Sequence, residues 1–207
     1  MAQPGVDIQL NFAQDITRAT AQIAATPAQL EKAVQRAIKK TLRWLQTRIS
    51  RDIAKELGVP QKAIKHRLTL SQTGKGTNGI HILWLGTAPL AAEMAGKPRQ
   101  TKSGVTVGKR KFPGAFYRDI YGDGPKVWIR ASRAQALGVD LPQWGRKQRA
   151  RASTLAPGEG GRFPVRRVGI EVHTRANEIF GRYQKQAEQR FNQVIDQELN
   201  YAVNHEL

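Results

Sequence analysis

Apolar residues recur every three or four positions along two long stretches of the chain, residues 30–57 and 179–203. This spacing places them on one face of an α-helix and leaves the other face polar. In the first stretch that polar face is strongly basic, with eight lysines and arginines against three acids. The pattern predicts two long amphipathic helices.

Residues typical of helix ends flank the first of these stretches. Thr26 and Gln29 have the spacing of a capping box, and Pro27 suits the first helical position. Gly58 is expected to end the helix, and a short second helix is expected to follow through about Lys65. A helix, a glycine and a short helix also occur in helix-turn-helix DNA-binding proteins, but the arrangement is more often ordinary packing.

Alternation of apolar and polar residues predicts strands elsewhere. Residues 6–12 have the period of a half-buried strand, and residues 68–70 and 80–85 flank a turn-rich segment, as in a hairpin. Further strands are expected at 105–107, 112–120 and 127–129. The predicted fold class is α+β: a small antiparallel sheet of about four or five strands packed with two long amphipathic helices, plus basic loops rich in Gly and Pro.

A length of 207 residues fits a single domain spanning 1–207. Within it, residues 131–161 show no sustained period and include two prolines and a Gly-Glu-Gly-Gly run. A loop this long inside a compact domain is usually functional or disordered. We therefore expect an extended or partly disordered insertion at 131–161.

The chain carries 34 lysines and arginines against 16 acids, a formal net charge of +18. Such a field attracts polyanions: nucleic acid, acidic protein surfaces or anionic lipid. The bases concentrate in two clusters, and both are expected to lie on mobile, Gly-rich segments that contact DNA phosphates or an acidic protein partner. A solvated basic surface with no specific partner is the third interpretation. The candidate contact residues are Lys97, Arg99, Lys102, Lys109, Arg110, Lys111, Arg146, Lys147, Arg149 and Arg151.

Signatures of enzymes are missing from the sequence. There is no cysteine, the four histidines are scattered, and no phosphate-loop, Rossmann or nucleophile-elbow motif occurs. We expect no enzyme, no catalytic residue, no cofactor and no metal site. The first fifteen residues do not resemble a signal peptide, and the most apolar window, residues 80–85, is too short to span a bilayer. These features predict a soluble protein of a reducing compartment.

Aromatic residues on the predicted strands admit two uses. Exposed and interleaved with bases, they would form a stacking platform for single-stranded nucleic acid. Because they fall in alternating apolar patterns, core packing is the favoured interpretation. They are Trp84, Phe112, Phe116, Tyr117 and Trp128.

Three blocks of sequence, taken in order, resemble the minor tail protein Z family, the tail completion proteins of lambda-like long-tailed phages and prophages. The first block is residues 53–68, the second is 112–116 with its PGAF strand followed by the strand ending in arginine at 127–130, and the third is the Arg-Phe-Pro-Val step at 162–165. The C-terminal segment 198–207 is similar to the family's C-terminal segment as well. Between Arg130 and Arg162 this chain is longer than the family pattern, so no role is carried over to that insertion.

The resemblance implies a virion structural protein rather than an enzyme. Such proteins complete the head-proximal end of the tail for head–tail joining and help position the genome end for ejection. The expected partners are further copies of the chain in a ring, with a homohexamer as the natural symmetry, and tail tube, tail terminator or neck proteins of the same phage. Sequence-independent contact with genomic DNA is also expected, and contact with a membrane is not. The protein would be made in the cytoplasm of the bacterial host and reside in the virion. The alternative is a cellular, non-specific nucleic-acid-binding protein.

Overall fold

The structure is a computed structural model that describes residues 5–21, 23, 26–74, 79–139, 141 and 165–205. These residues form five α-helices: α1 Ala13–Thr20, α2 Pro27–Leu57, α3 Gln61–Lys65, α4 Ala131–Ala136 and α5 His173–His205. They also form eleven strands: β1 Gly5–Leu10, β2 Leu68–Thr73, β3 Ile80–Gly86, β4 Leu90–Ala91, β5 Pro98–Thr101, β6 Gly104–Val107, β7 Arg110–Pro113, β8 Ala115–Arg118, β9 Lys126–Arg130, β10 Val165–Arg167 and β11 Gly169–Ile170. A 3-10 helix spans Ala92–Ala95. The predicted α+β class is confirmed, with α2 and α5 as its two long helices.

The strands do not form the single sheet of four or five strands that the sequence predicts. In the part of the chain described, they form four small antiparallel sheets, with orders β1-β3-β2, β10-β9-β8, β5-β6-β7 and β11-β4. Strands β5, β6 and β7 are each only four residues long, and two-residue turns separate them. Alternation identifies the strands, but it does not specify which strands pair.

The described residues fall into two compact units by their internal contacts. The first unit contains residues 54–63 and 87–175, and the second contains residues 5–53, 64–86 and 176–207. Most of α2 and most of α5 belong to the second unit, together with the β1-β3-β2 sheet. The first unit contains the remaining three sheets and α4.

The core of the second unit is built from one face of its sheet and the apolar stripes of its helices. Strand β3 alternates between buried and half-buried residues, and Leu83 and Leu85 are fully enclosed. Phe12, just after β1, stacks on Phe191 of α5 with ring centroids 4.0 Å apart. The strand predicted at 6–12 is confirmed as far as Leu10, whereas Phe12 lies at the start of α1. The predicted hairpin at 68–70 and 80–85 is confirmed by the pairing of β2 with β3.

Both predicted ends of α2 are also confirmed. At the start, the Thr26 amide donates to Gln29 Oε1 at 2.9 Å and the Gln29 amide donates back to Thr26 Oγ1 at 3.4 Å, which is a capping box. At the end, Gly58 has a φ of 59°, and the amides of Gly58 and Val59 donate to carbonyls in the last turn. This is a Schellman motif, in which glycine adopts the left-handed conformation at least cost.

The predicted insertion at 131–161 begins differently from expectation. Residues 131–136 form α4, which follows directly on β9, and Ala134 is buried within the first unit. A helix forms here because Ala and Gln have good helix propensity and no proline occurs between residues 131 and 141. Residues 140 and 142–161 of this prediction lie outside the described residues.

Candidate nucleic-acid interface

The basic run at 97–111 lies in a three-stranded antiparallel meander, not in the mobile loop that the sequence predicts. Strands β5, β6 and β7 pair in order, with turns at 102–103 and 108–109. Val105 and Val107 of the central strand are buried, so one face of the meander belongs to the core of the first unit. This alternation fixes the strand in place, since a one-residue slip would turn both valines to solvent.

The opposite face of the meander carries positive charge. The register places Arg99 opposite Thr106, and Thr106 opposite Lys111, so the three side chains lie in one row across the strands. Arg99 and Lys111 are exposed, and Thr106 between them is half-buried. Two inter-strand spacings separate the two cationic residues, about 10 Å at the backbone. We call Arg99, Thr106 and Lys111 the basic row.

Three further lysines extend the charge beyond the basic row. Lys97 precedes β5, and Lys102 and Lys109 lie in the two turns; all three are exposed. No aspartate or glutamate occurs between residues 94 and 118 of the sequence. The exposed bases of this segment therefore have no acid of their own segment beside them, and their field is directed to solvent and to whatever binds there.

Arg110 is the one base of this run that points the other way. It shares its register with Val107 on the inner face, and its Nε donates to the carbonyl oxygen of Leu57 at 2.8 Å. Leu57 is the last residue of α2, so the guanidinium caps the helix C-terminus. Five of the six predicted contact residues at 97–111 are thus exposed, and the sixth serves the fold.

The second predicted cluster, Arg146, Lys147, Arg149 and Arg151, lies outside the described residues. Its role as a DNA or partner contact stays a prediction.

A groove lies on the neighbouring β10-β9-β8 sheet, between β8 and α4. Its volume is about 400 Å³ and it is open to solvent. It is lined by Gly114, Phe116, Arg130, Ser132, Arg133 and Ala136. We call this the Arg130–Arg133 groove. The meander is tied to the same sheet because the backbone amide of Tyr117 in β8 donates to Gln100 Oε1 in β5 at 2.9 Å.

Gly114 makes room for one wall of the groove. It has a φ of 71°, and a Cβ there would lie 2.9 Å from Cγ of Arg133 and 3.0 Å from Cδ1 of Leu137. Any larger residue would therefore meet the stem of Arg133 in a backbone conformation that side chains disfavour. Glycine at this position lets α4 approach the turn between β7 and β8.

The aromatic residues of this sheet have two different environments. Trp128 is buried as predicted: its Nε1 donates to the Arg118 carbonyl at 3.1 Å, and Tyr121 packs edge-on against it with centroids 5.4 Å apart. Phe116 in β8 is the cross-strand partner of Trp128, so both side chains lie on the same face of the sheet. Phe116 is only half-buried, however, and it lines the groove. The sequence interpretation of these aromatics as core is confirmed for Trp128 and does not describe Phe116.

Of the three arginine side chains near the groove, one forms an ion pair with a described residue and two do not. Arg167, opposite Trp128 in β10, pairs with Glu93. The side chains of Arg130 and Arg133 are exposed and make no hydrogen bond or ion pair with any residue of the described part of the chain. Neither arginine is among the contact residues that the sequence predicts. The signal in the sequence is the presence of two arginines three positions apart at the end of the strand predicted at 127–129.

Other kinds of chemistry have no counterpart in the described ranges. No group of three or more His, Asp or Glu residues there is arranged to hold a metal ion. None of the helices in the described part is long and apolar enough to cross a membrane. Comparison with protein-family models, curated proteins and solved structures finds no match to the chain.

Proposed function

We propose that the protein is a virion structural protein that completes the head-proximal end of a long phage tail and contacts genomic DNA through its basic row. The observation that carries the DNA contact is the alignment of Arg99 and Lys111 on the exposed face of a meander whose other face is core. The assignment to a phage tail rests on the sequence resemblance to the minor tail protein Z family.

Rigid placement of the bases suits a contact that holds DNA without recognising its sequence. Side chains on paired strands approach phosphates with less conformational freedom to lose than side chains on a loop. Phosphate contacts set position and carry no base information. A protein at the passage between capsid and tail needs this kind of contact, because every sequence of the genome must pass it.

In this proposal the protein is not an enzyme, and it acts as part of a ring. Its partners are further copies of itself, a homohexamer by the symmetry expected of a tail, and tail tube, tail terminator or neck proteins. A ring repeats the basic row once per protomer around the lumen. At physiological salt the Debye length is about 8 Å, so only bases close to the lumen would act on the DNA.

The location of the protein tests the tail assignment. Phage particles are produced from the host that carries the gene, purified, and labelled with gold-conjugated antibody against this chain. Label at the head-proximal end of the tail, and tails that fail to join heads when the gene is deleted, are the expected results. Particles that lack the protein and remain infective without the gene would overturn the assignment.

The second candidate is a cellular, non-specific nucleic-acid-binding protein, and the same basic row favours it. The two candidates differ in what the purified protein does alone. The molecular mass of the purified protein is measured by light scattering, and a mass of about six protomers favours the tail ring. A monomer or dimer that binds duplex DNA tightly at low salt and releases it at high salt favours the cellular protein.

The basic row itself is tested by a pair of charge-matched double variants. Arg99→Gln with Lys111→Gln removes two exposed charges from the meander; Lys32→Gln with Lys39→Gln removes two exposed charges from α2. If both row residues contact phosphates, the first pair of substitutions reduces the magnitude of the negative slope of log K against log salt for duplex DNA by about 1.8. The α2 pair is expected to leave the slope unchanged, and equal effects would remove the basic row from the proposal.

A further inference from the structure

We propose that the Arg130–Arg133 groove binds an unpaired nucleotide of single-stranded DNA, with the base stacked on Phe116 and the flanking phosphates held by Arg130 and Arg133. This inference rests on the proposed function, because it assumes that the protein contacts nucleic acid. It goes further by naming a second contact, distinct in chemistry from the basic row, and the form of DNA that occupies it.

The size of the groove fits a nucleotide. Its volume of about 400 Å³ lies at the lower end of the range for small-molecule sites. Its lining comes from a strand, a turn and one short helix, and only a base that has left its stack can place a face on the Phe116 ring. A single base turned out of a strand is the part of a nucleic acid that enters such a groove.

The lining combines an aromatic ring with two cations, the pairing that single-stranded nucleic acid requires. No other aromatic ring within the described residues stacks on Phe116, and stacking on a ring is tolerant of sequence because every base has a π face. Each guanidinium offers a planar fork of donors that matches phosphate oxygens. Ser132, which lies between the two arginines in sequence, also lines the groove.

The side chains of Arg130 and Arg133 are available to a ligand, whereas that of Arg167 in the adjacent strand is not. Arg167 is paired with Glu93, so its charge is already compensated. Arg130 and Arg133 are exposed at the end of β9 and in α4, and their positive charges have no acidic partner in the described ranges. An anion that entered the groove would meet two uncompensated charges on the same side.

An acidic protein segment would also be attracted to the two arginines, but it leaves Phe116 without a role. A nucleotide uses the ring and both cations together. Single-stranded DNA is therefore the occupant that the lining favours, and an acidic peptide becomes an outcome of the test.

The test measures binding of the full chain to a fluorescein-labelled thymidine oligomer of about ten nucleotides, within the site sizes of single-strand-binding folds, by fluorescence anisotropy. For this oligomer, the double variant Arg130→Gln with Arg133→Gln is expected to reduce the magnitude of the slope of log K against log salt by about 1.4. This is the equivalent of two single-strand phosphate contacts. Phe116→Leu keeps an apolar side chain and removes the π face. It is expected to raise the Kd about tenfold through lost stacking, with the salt slope unchanged.

The charge-matched control is Lys32→Gln with Lys39→Gln, and the melting temperature of each variant establishes that it is folded. If the control and the groove variant lower the slope equally, or if Phe116→Leu binds as tightly as the parent while folded, the groove site is overturned. A groove variant that loses affinity for a glutamate-rich peptide but keeps its affinity for the oligomer overturns it in favour of an acidic protein partner.

Failure of this inference and failure of the proposed function are distinguishable. Loss of the groove site with retained duplex binding through the basic row leaves the proposed function intact. Absence of the protein from phage particles removes the tail assignment whatever the oligomer measurements give.

Discussion

The side chain of Arg110 and the carbonyl oxygen of Leu57, 53 residues apart in sequence, form a hydrogen bond of 2.8 Å. Arg110 lies between Lys109 and Lys111, whose side chains are exposed. The bond ties the meander to the end of α2 within the first unit. Three consecutive bases that look alike in the sequence therefore have two different functions, one structural and two available to a partner.

Substituting Arg110 should destabilise the fold, while substituting its neighbour should not. Arg110→Ala removes a charged donor from the last carbonyl of α2, and we expect a loss of about 1–2 kcal/mol in the free energy of unfolding. Lys111→Ala is the matched control and is expected to stay within about 0.5 kcal/mol of the parent. Urea denaturation followed by circular dichroism measures both. Equal stability of the two variants would contradict the assignment of Arg110 to the helix end.

Glu198 is a second charged group with a structural role. Its side chain is 8% exposed on α5, and it pairs with Arg36 Nε at 2.7 Å and with Lys40, both on α2. Glu198→Gln is expected to cost about 1–3 kcal/mol, less than a fully buried ion pair because Lys40 is 62% exposed. Chemical denaturation at neutral pH measures the loss.

The same group makes stability depend on acid. Burial alone raises the pKa of Glu198, but the hydrogen bonds and charges of Lys40 and Arg36 outweigh it and hold the pKa below its ordinary value of 4.5. A lowered folded-state pKa means that the contribution is present above pH 4.5 and is lost as the pH falls through the lowered value. The difference in stability between parent and Glu198→Gln should shrink over that range. A constant difference down to pH 2 would argue against the ion pair.

His81 should make the stability depend on pH over a higher range than Glu198 does. It is 7% exposed in β3, its Nε2 has no hydrogen-bond partner in the described part of the chain, and burial lowers its pKa from 6.5. Below pH 6.5 the unfolded chain takes up a proton that the folded chain resists, so stability falls as the pH falls. His81→Leu should flatten this dependence between pH 7 and pH 5, and His66→Gln, at an exposed position, controls for the loss of a histidine. An unchanged slope in His81→Leu would contradict the prediction.

Tyr183 gives a spectroscopic prediction. Its hydroxyl donates to Asp52 Oδ2 at 2.6 Å, and burial together with this bond and the Asp52 charge raises the pKa of Tyr183 to about 12. The parent should show a tyrosinate absorbance step near pH 12 that Tyr183→Phe lacks. Because the raised pKa favours the neutral folded form, the contribution to stability is present below pH 10 and is lost as the pH rises to about 12. At pH 7 the variant should lose about 1–2 kcal/mol.

Local structure was the part of this fold that sequence could predict. The capping box of Thr26 and Gln29, the Schellman glycine at 58 and the hairpin of β2 with β3 each depend on residues close together in the chain. Such contacts leave a signature in the spacing of residue types. The α+β class followed from the two periodicities.

The candidate site was less predictable because it depends on contacts between distant residues. The hydrogen bond from Arg110 to Leu57 depends on where the fold brings β7 and α2, and by charge alone Arg110 is equivalent to Lys111. The groove needs Gly114 beside Arg133, which is set by the angle at which α4 follows β9. Division into four sheets was missed for the same reason, since strand pairing is a property of the whole chain rather than of any window.

Within the residues that the structure describes, the chain passes between the two compact units four times, at residues 53–54, 63–64, 86–87 and 175–176. No contiguous fragment of the described chain therefore encodes one unit and leaves the other whole. A single cut of the backbone within residues 54–63 or 87–139 interrupts the first unit and also separates segments of the second, so neither unit can be recovered as one uninterrupted fragment.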